Sequence, residues 1–162
     1  MDDVIKLLIV DDESRFLNAI ATRLKKRGFD VSTATNGADA IALAREEKFD
    51  LALLDLKMPG MDGSEVLRVL KSEHKFLEAI ILTGHGSLDS AVELTKLGAF
   101  GYLPKPYELD KLIETLKEAY EVRLKKKFAA DEHKMSEISS ITMQGSPLSI
   151  LRKLRELDDE RR

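Results

Sequence analysis

A chain of 162 residues, 43% of them hydrophobic, holds enough material for one buried core and little for a second, so one domain plus an appendage is expected. The net charge of −3, with 34% of residues charged, does not suggest a duplex-wide phosphate-binding face, and the lack of cysteine excludes disulfide frameworks and thiolate metal sites. The first residues carry no basic leader, and no apolar run approaches the roughly 20 residues of a bilayer crossing; a cytoplasmic protein without a membrane partner is expected.

In chain order, the run VIKLLIV at 4–10 predicts a first strand, followed by a helix with Phe16, Leu17, Ile20 and Leu24 on one face. Residues 29–34 predict a second strand and LALL at 51–54 a third, then a helix carrying Val66, Leu67 and Leu70. A fourth strand is predicted at 79–82 and a fifth at 100–103, before a helix bearing Leu109, Leu112, Ile113 and Leu116. Such β-α alternation implies an α/β fold with a doubly wound parallel sheet and helices on both faces, because parallel strands need crossovers. The continuous apolar character of strands one, three and four agrees with burial on both sides.

The last of these helices overruns the sheet. Its stripe continues through Tyr120, Leu124 and Phe128, which reads either as a short coiled coil between two chains or as a frayed, solvated end. From Ala129 to Gly145 the composition turns polar and reads as frayed helix or linker. Ser146-Pro147 looks like an N-cap followed by proline at the first helical position, opening a final short helix with Leu148, Ile150, Leu151, Leu154 and Leu157. The expected division is therefore an α/β domain over 1–124 and a helical extension or linker over 125–162, with no recognisable DNA-binding domain.

Ligands in such sheets bind outside the carboxyl ends of the strands. There the first strand ends in Asp11-Asp12, the third in Asp55, the fourth in Thr83, and the fifth leads to Lys105-Pro106. Three neighbouring carboxylates repel one another unless a cation joins them, and magnesium, which combines one or two carboxylates with waters and a phosphate, suits an open site. A carboxylate, a hard metal and an ammonium together permit phosphoryl transfer to aspartate. His74, His85 and His133 lack metal-ligand spacing and read as surface residues.

The segments LLIVDDE, LALLDLKMPGMDGSEVL, AIILTGHG and GAFGYLPKPYELDKL, in that order across residues 4 to about 122, resemble the receiver (CheY-like) domain of two-component response regulators. The resemblance implies a flavodoxin-like five-stranded sheet of order 2-1-3-4-5, an order the family is known for. It implies Asp55 as phosphoacceptor, and Mg2+ held by Asp12, Asp55, the main-chain carbonyl of Lys57 and, largely through water, Asp11. Lys105 would pair with the phosphoryl group, Thr83 would move its hydroxyl onto it, and Tyr102 would change rotamer with the state. A cis Lys105-Pro106 bond is implied too, and Lys57 and His85 occupy positions that tune the phosphate lifetime.

By the same resemblance the chain would accept phosphoryl groups from a sensor histidine kinase or phosphotransfer protein. It would be a switch with slow autodephosphorylation and not an enzyme. Its output would be partner binding or homodimerisation, through the fourth helix, fifth strand and fifth helix or through the C-terminal extension, without direct nucleic-acid contact. An aspartyl phosphohydrolase is disfavoured by Lys57, where such enzymes place a second acid, and a phosphorylation-free pseudo-receiver by the intact Asp12, Asp55, Thr83 and Lys105. GSPLSILRKLREL resembles the segment leading into the ATPase domain of NtrC-type activators. On that reading the chain is a piece of a longer regulator or a receiver parted from its effector; otherwise its last helix is a docking segment.

Overall fold

A computed structural model describes residues 4–55, 63–84 and 88–159. Five strands, β1 (Lys6–Val10), β2 (Asp30–Ala34), β3 (Leu51–Asp55), β4 (Glu78–Thr83) and β5 (Gly101–Pro104), form one parallel sheet in the order β2-β1-β3-β4-β5. Helices α1 (Ser14–Lys26), α2 (Gly37–Glu46), α3 (Gly63–Glu73), α4 (Leu88–Lys96) and α5 (Leu109–Lys127) alternate with them. The period of two in each strand divides the core. Leu7, Ile9, Leu51, Leu53, Ile80 and Leu82 meet α1 and α5 on one side, while Leu8, Val10, Ala52, Leu54, Ala79 and Ile81 meet the α2–α3–α4 side.

Two glycines bring the chain back from helix to strand. After α1, Gly28 takes φ 98°, with its N–H bonded to Lys25 O and that of Phe29 to Leu24 O. After α4, Gly98 takes φ 115° and repeats the pair of bonds at Thr95 and Leu94. This left-handed helix ending satisfies the last carbonyls and suits a residue without Cβ.

Beyond Lys127 the structure departs from the expectation of fraying. Helix α6 (Glu132–Thr142) occupies the stretch whose composition reads as linker; Asp131 caps it by accepting from Lys134 N–H at 3.0 Å, and Ile138 anchors it in the core. Helix α7 (Pro147–Asp159) begins as expected, with Ser146 Oγ accepting from Ser149 N–H at 3.2 Å. Its Ile150, Leu151, Leu154 and Leu157 join Tyr120, Leu124 and Phe128 in one buried cluster. The stripe on α5 is thus covered from within the chain, neither left to solvent nor held for a second coiled-coil strand, because α7 brings an equally apolar face back onto it.

A buried polar group lies in this interface. Asp158, fully buried, accepts from Tyr120 Oη at 2.6 Å and Arg123 Nε at 3.3 Å, and pairs with Lys127. Burial alone would raise its pKa; the hydrogen bonds from Lys127 and Tyr120 and the charges of Arg123 and Lys127 outweigh that and hold it below the usual aspartate value. Arg123 also reaches Asp50 at 3.1 Å, Arg155 Nε donates to Val4 O at 3.0 Å, and Lys126 pairs with Glu78 at 2.9 Å. The entries to β1, β3 and β4 are all tied to α5 or α7 in this way. Among the described residues, no helix is long and apolar enough to cross a membrane.

Candidate functional site

At the opposite, carboxyl edge of the sheet, β1 and β3 lie side by side and end in step, with Val10 opposite Leu54. Asp11 therefore emerges beside Asp55. Its backbone N–H still bonds to Ala34 O of β2 at 3.1 Å, which extends the ladder by one residue and fixes the carboxylate's origin. One oxygen from each of Asp11, Asp12 and Asp55 lies within 4.8 Å of the others; Asp11 and Asp55 are buried, and Asp12 is exposed.

Lys105, which directly follows the end of β5 and precedes a cis bond to Pro106, closes the group. Its Nζ stands 3.1 Å from Asp11 Oδ2 and 3.5 Å from Asp55 Oδ2, so Asp11 makes the hydrogen bond and Asp55 mainly a charge contact. Burial lowers the lysine pKa, but the bond to Asp11 and the attraction of Asp11 and Asp55 prevail and leave it above the ordinary value. The other oxygen of Asp11 accepts from Glu13 N–H at 2.9 Å, so both of its oxygens are already engaged.

Two aromatic residues form a wall that sequence reading did not attach to the site. Phe16, taken there as part of the α1 stripe, lies with its ring centroid 4.6 Å from Lys105 Nζ. Tyr107 meets Phe16 edge-on, with centroids 6.0 Å apart and planes at 87°. The Tyr107 hydroxyl is buried without a hydrogen-bond partner among the described residues. Burial, then the nearby Asp11 and Asp55, drive its pKa well above that of free tyrosine. The only sequence signal was position: Phe16 lies one turn past Asp12, and Tyr107 two residues past Lys105.

All ligand atoms offered by the cluster are carboxylate oxygens, and among the described residues its three carboxyl groups have one ammonium, that of Lys105, paired with two of them. That donor set and excess of negative charge fit a hard divalent cation better than a soft one. Lys57 and His85 lie outside the described residues, as does the side chain of Thr83, whose backbone ends β4 opposite Pro104. Tyr102 projects from β5 with 42% of its surface exposed. Of the histidines, His133 is exposed as expected, but His74 is half-buried: its Nε2 contacts Ala44 O at 2.7 Å and its ring meets Phe49 edge-on, which makes it a packing residue between α2 and α3.

Comparison with known proteins gives a consistent result. The family model described as the response regulator receiver domain matches residues 7–117. An NtrX-like response regulator of Rickettsia bellii is 40% identical over 121 residues, 74% of this chain and 25% of that protein. The chain spans about a quarter of the length of the curated relatives it matches. Among solved structures, a CheY-like receiver domain protein from Methanospirillum hungatei superposes with a TM-score of 0.71 at 32% identity, covering 76% of this chain and 98% of that one. The beryllofluoride-activated NtrC4 receiver domain dimer gives 0.68 at 32% identity, with 73% and 98% covered.

Proposed function

The chain belongs to the response regulator receiver domain family of two-component systems, and from that premise we propose that it is a phosphorylation switch in which Asp55 accepts a phosphoryl group from a phosphohistidine on a sensor kinase or phosphotransfer protein. The observation that carries this reading is the meeting of Asp11, Asp12 and Asp55 with Lys105 at the ends of adjacent parallel strands. In the transfer, an Asp55 carboxylate oxygen forms the new P–O bond while the P–N bond breaks and its electron pair returns to the imidazole. Lys105, already aimed at Asp55, offsets the charge that gathers on the equatorial oxygens. Asp12, Asp55, the carbonyl of Lys57 and, through water, Asp11 would hold Mg2+, which supplies further charge neutralisation when bound.

Output follows from a change at Thr83 and Tyr102, read on the surface of α4, β5 and α5. Val92 and Tyr102 leave exposed apolar area there, which supports a docking or dimerisation role for that face. The protein acts in the cytoplasm as a switch with slow self-dephosphorylation and no other enzymatic turnover, and this chain itself makes no nucleic-acid contact.

The test is incubation with Mg2+ and acetyl phosphate, followed by intact-mass analysis and sizing. One added phosphoryl group is expected on the wild-type chain and none on Asp55→Asn, with chelation abolishing the gain. Labelling that survives Asp55→Asn would overturn the assignment. Multiple turnover of unrelated phosphoesters would point to a hydrolase, and no adduct at all to a binding module.

A further inference from the structure

Lysine is a flexible point charge, and the two carboxylates beside Lys105 hold it unequally, at 3.1 and 3.5 Å. A third contact comes from the half-buried ring of Phe16, 4.6 Å from the ammonium, whose π-system attracts a cation. That ring is itself held: it is rooted in the first turn of α1, packed on the core, and met at 87° by the edge of Tyr107. Tyr107 follows Lys105 by two residues, so the aromatic pair ties α1 to the segment that carries the lysine. Phe16 has no group that could take part in the transfer.

We propose that Phe16 and Tyr107 are positioning residues for phosphoryl acceptance: the Phe16 ring, backed by Tyr107, holds the Lys105 ammonium in the gap between Asp11 and Asp55. The inference rests on the acceptor-site reading above and deepens it. If Phe16 were only a packing residue of α1, its loss would disturb the site whether or not Lys105 were present. If it acts through the lysine, its effect disappears once the lysine is gone.

The experiment measures phosphorylation of the full chain by acetyl phosphate over a range of Mg2+ concentrations. Phe16→Leu, which keeps apolar bulk and removes the ring, is expected to slow phosphorylation at saturating Mg2+ about tenfold. The Mg2+ concentration for half-maximal rate should not rise, because the ring touches no carboxylate and a looser ammonium competes less with the metal, and Phe16→Tyr should restore the rate. In a Lys105→Ala background, Phe16→Leu should make no further difference. Tyr107→Leu gives an independent version of the same cycle, with a loss of about threefold, should Phe16→Leu fold poorly.

A wild-type rate in Phe16→Leu, or an equal fold-loss with and without Lys105, overturns the inference alone. A wild-type chain that takes no phosphoryl group on Asp55 overturns the acceptor reading and this inference with it.

Discussion

Asp158→Ala is expected to lower the unfolding free energy of the chain by about 3 kcal/mol, because it strips a buried acceptor from groups that remain buried. Arg123 keeps its contact with Asp50, but the Tyr120 hydroxyl and the Lys127 ammonium lose the oxygens they face. Urea unfolding of the full chain measures this as a lower midpoint with an unchanged slope. The pH dependence has a definite sign. The folded pKa of Asp158 lies below its ordinary value of 3.8, so the aspartate contributes its full stabilisation above that value and loses it as pH falls through the folded pKa. The gap between wild type and Asp158→Asn should accordingly be constant near neutrality and shrink on acidification below about pH 4. Equal stabilities at pH 7, or α7 melting apart from the sheet, would show that the C-terminal helices are not part of the cooperative unit.

Lys105→Ala is expected to change two quantities in opposite directions. Phosphorylation of Asp55 should slow by about a hundredfold, the scale of losing one preorganised charge at a developing oxyanion. Mg2+ binding should tighten, since the ammonium competes with the metal for Asp11 and Asp55. Stopped-time mass analysis with acetyl phosphate gives the first quantity and a Mg2+ titration the second. A variant that loses metal affinity and rate together would assign Lys105 to site architecture and not to transition-state charge.

The sheet and the meeting of three carboxylates with a lysine at its edge were legible in the sequence for one physical reason. Strands buried on both faces read as apolar runs, and a polar residue that closes such a run must lie at a sheet edge. Asp11, Asp12, Asp55 and Lys105 are all of this kind, and parallel topology brings their edges together. Boundaries moved by a residue or two: the run at Val4 suggests a strand start, yet β1 begins at Lys6 and the Val4 carbonyl serves Arg155. What could not be read was tertiary. Helix α6 presents little beyond Ile138 to the deep core, too weak a stripe to stand out from polar composition. Apart from Arg155 one turn back on its own helix, Asp158 finds its partners 31 to 38 residues away, where no periodicity points. Phe16 fits a helical stripe equally well whether its ring meets aliphatic neighbours or an ammonium.

The placement of the aromatic residues gives the molecule an optical property. The chain has three tyrosines and no tryptophan. Tyr120 is fully buried and the Tyr107 hydroxyl is sealed, whereas Tyr102 stands 42% exposed on β5. Tyr102 is therefore the tyrosine most open to a dissolved quencher such as acrylamide, ahead of the half-buried Tyr107. A rotamer change at that residue, inward on phosphorylation of Asp55 and outward on its loss, would register as a change in quenching of the unmodified protein, with no label attached.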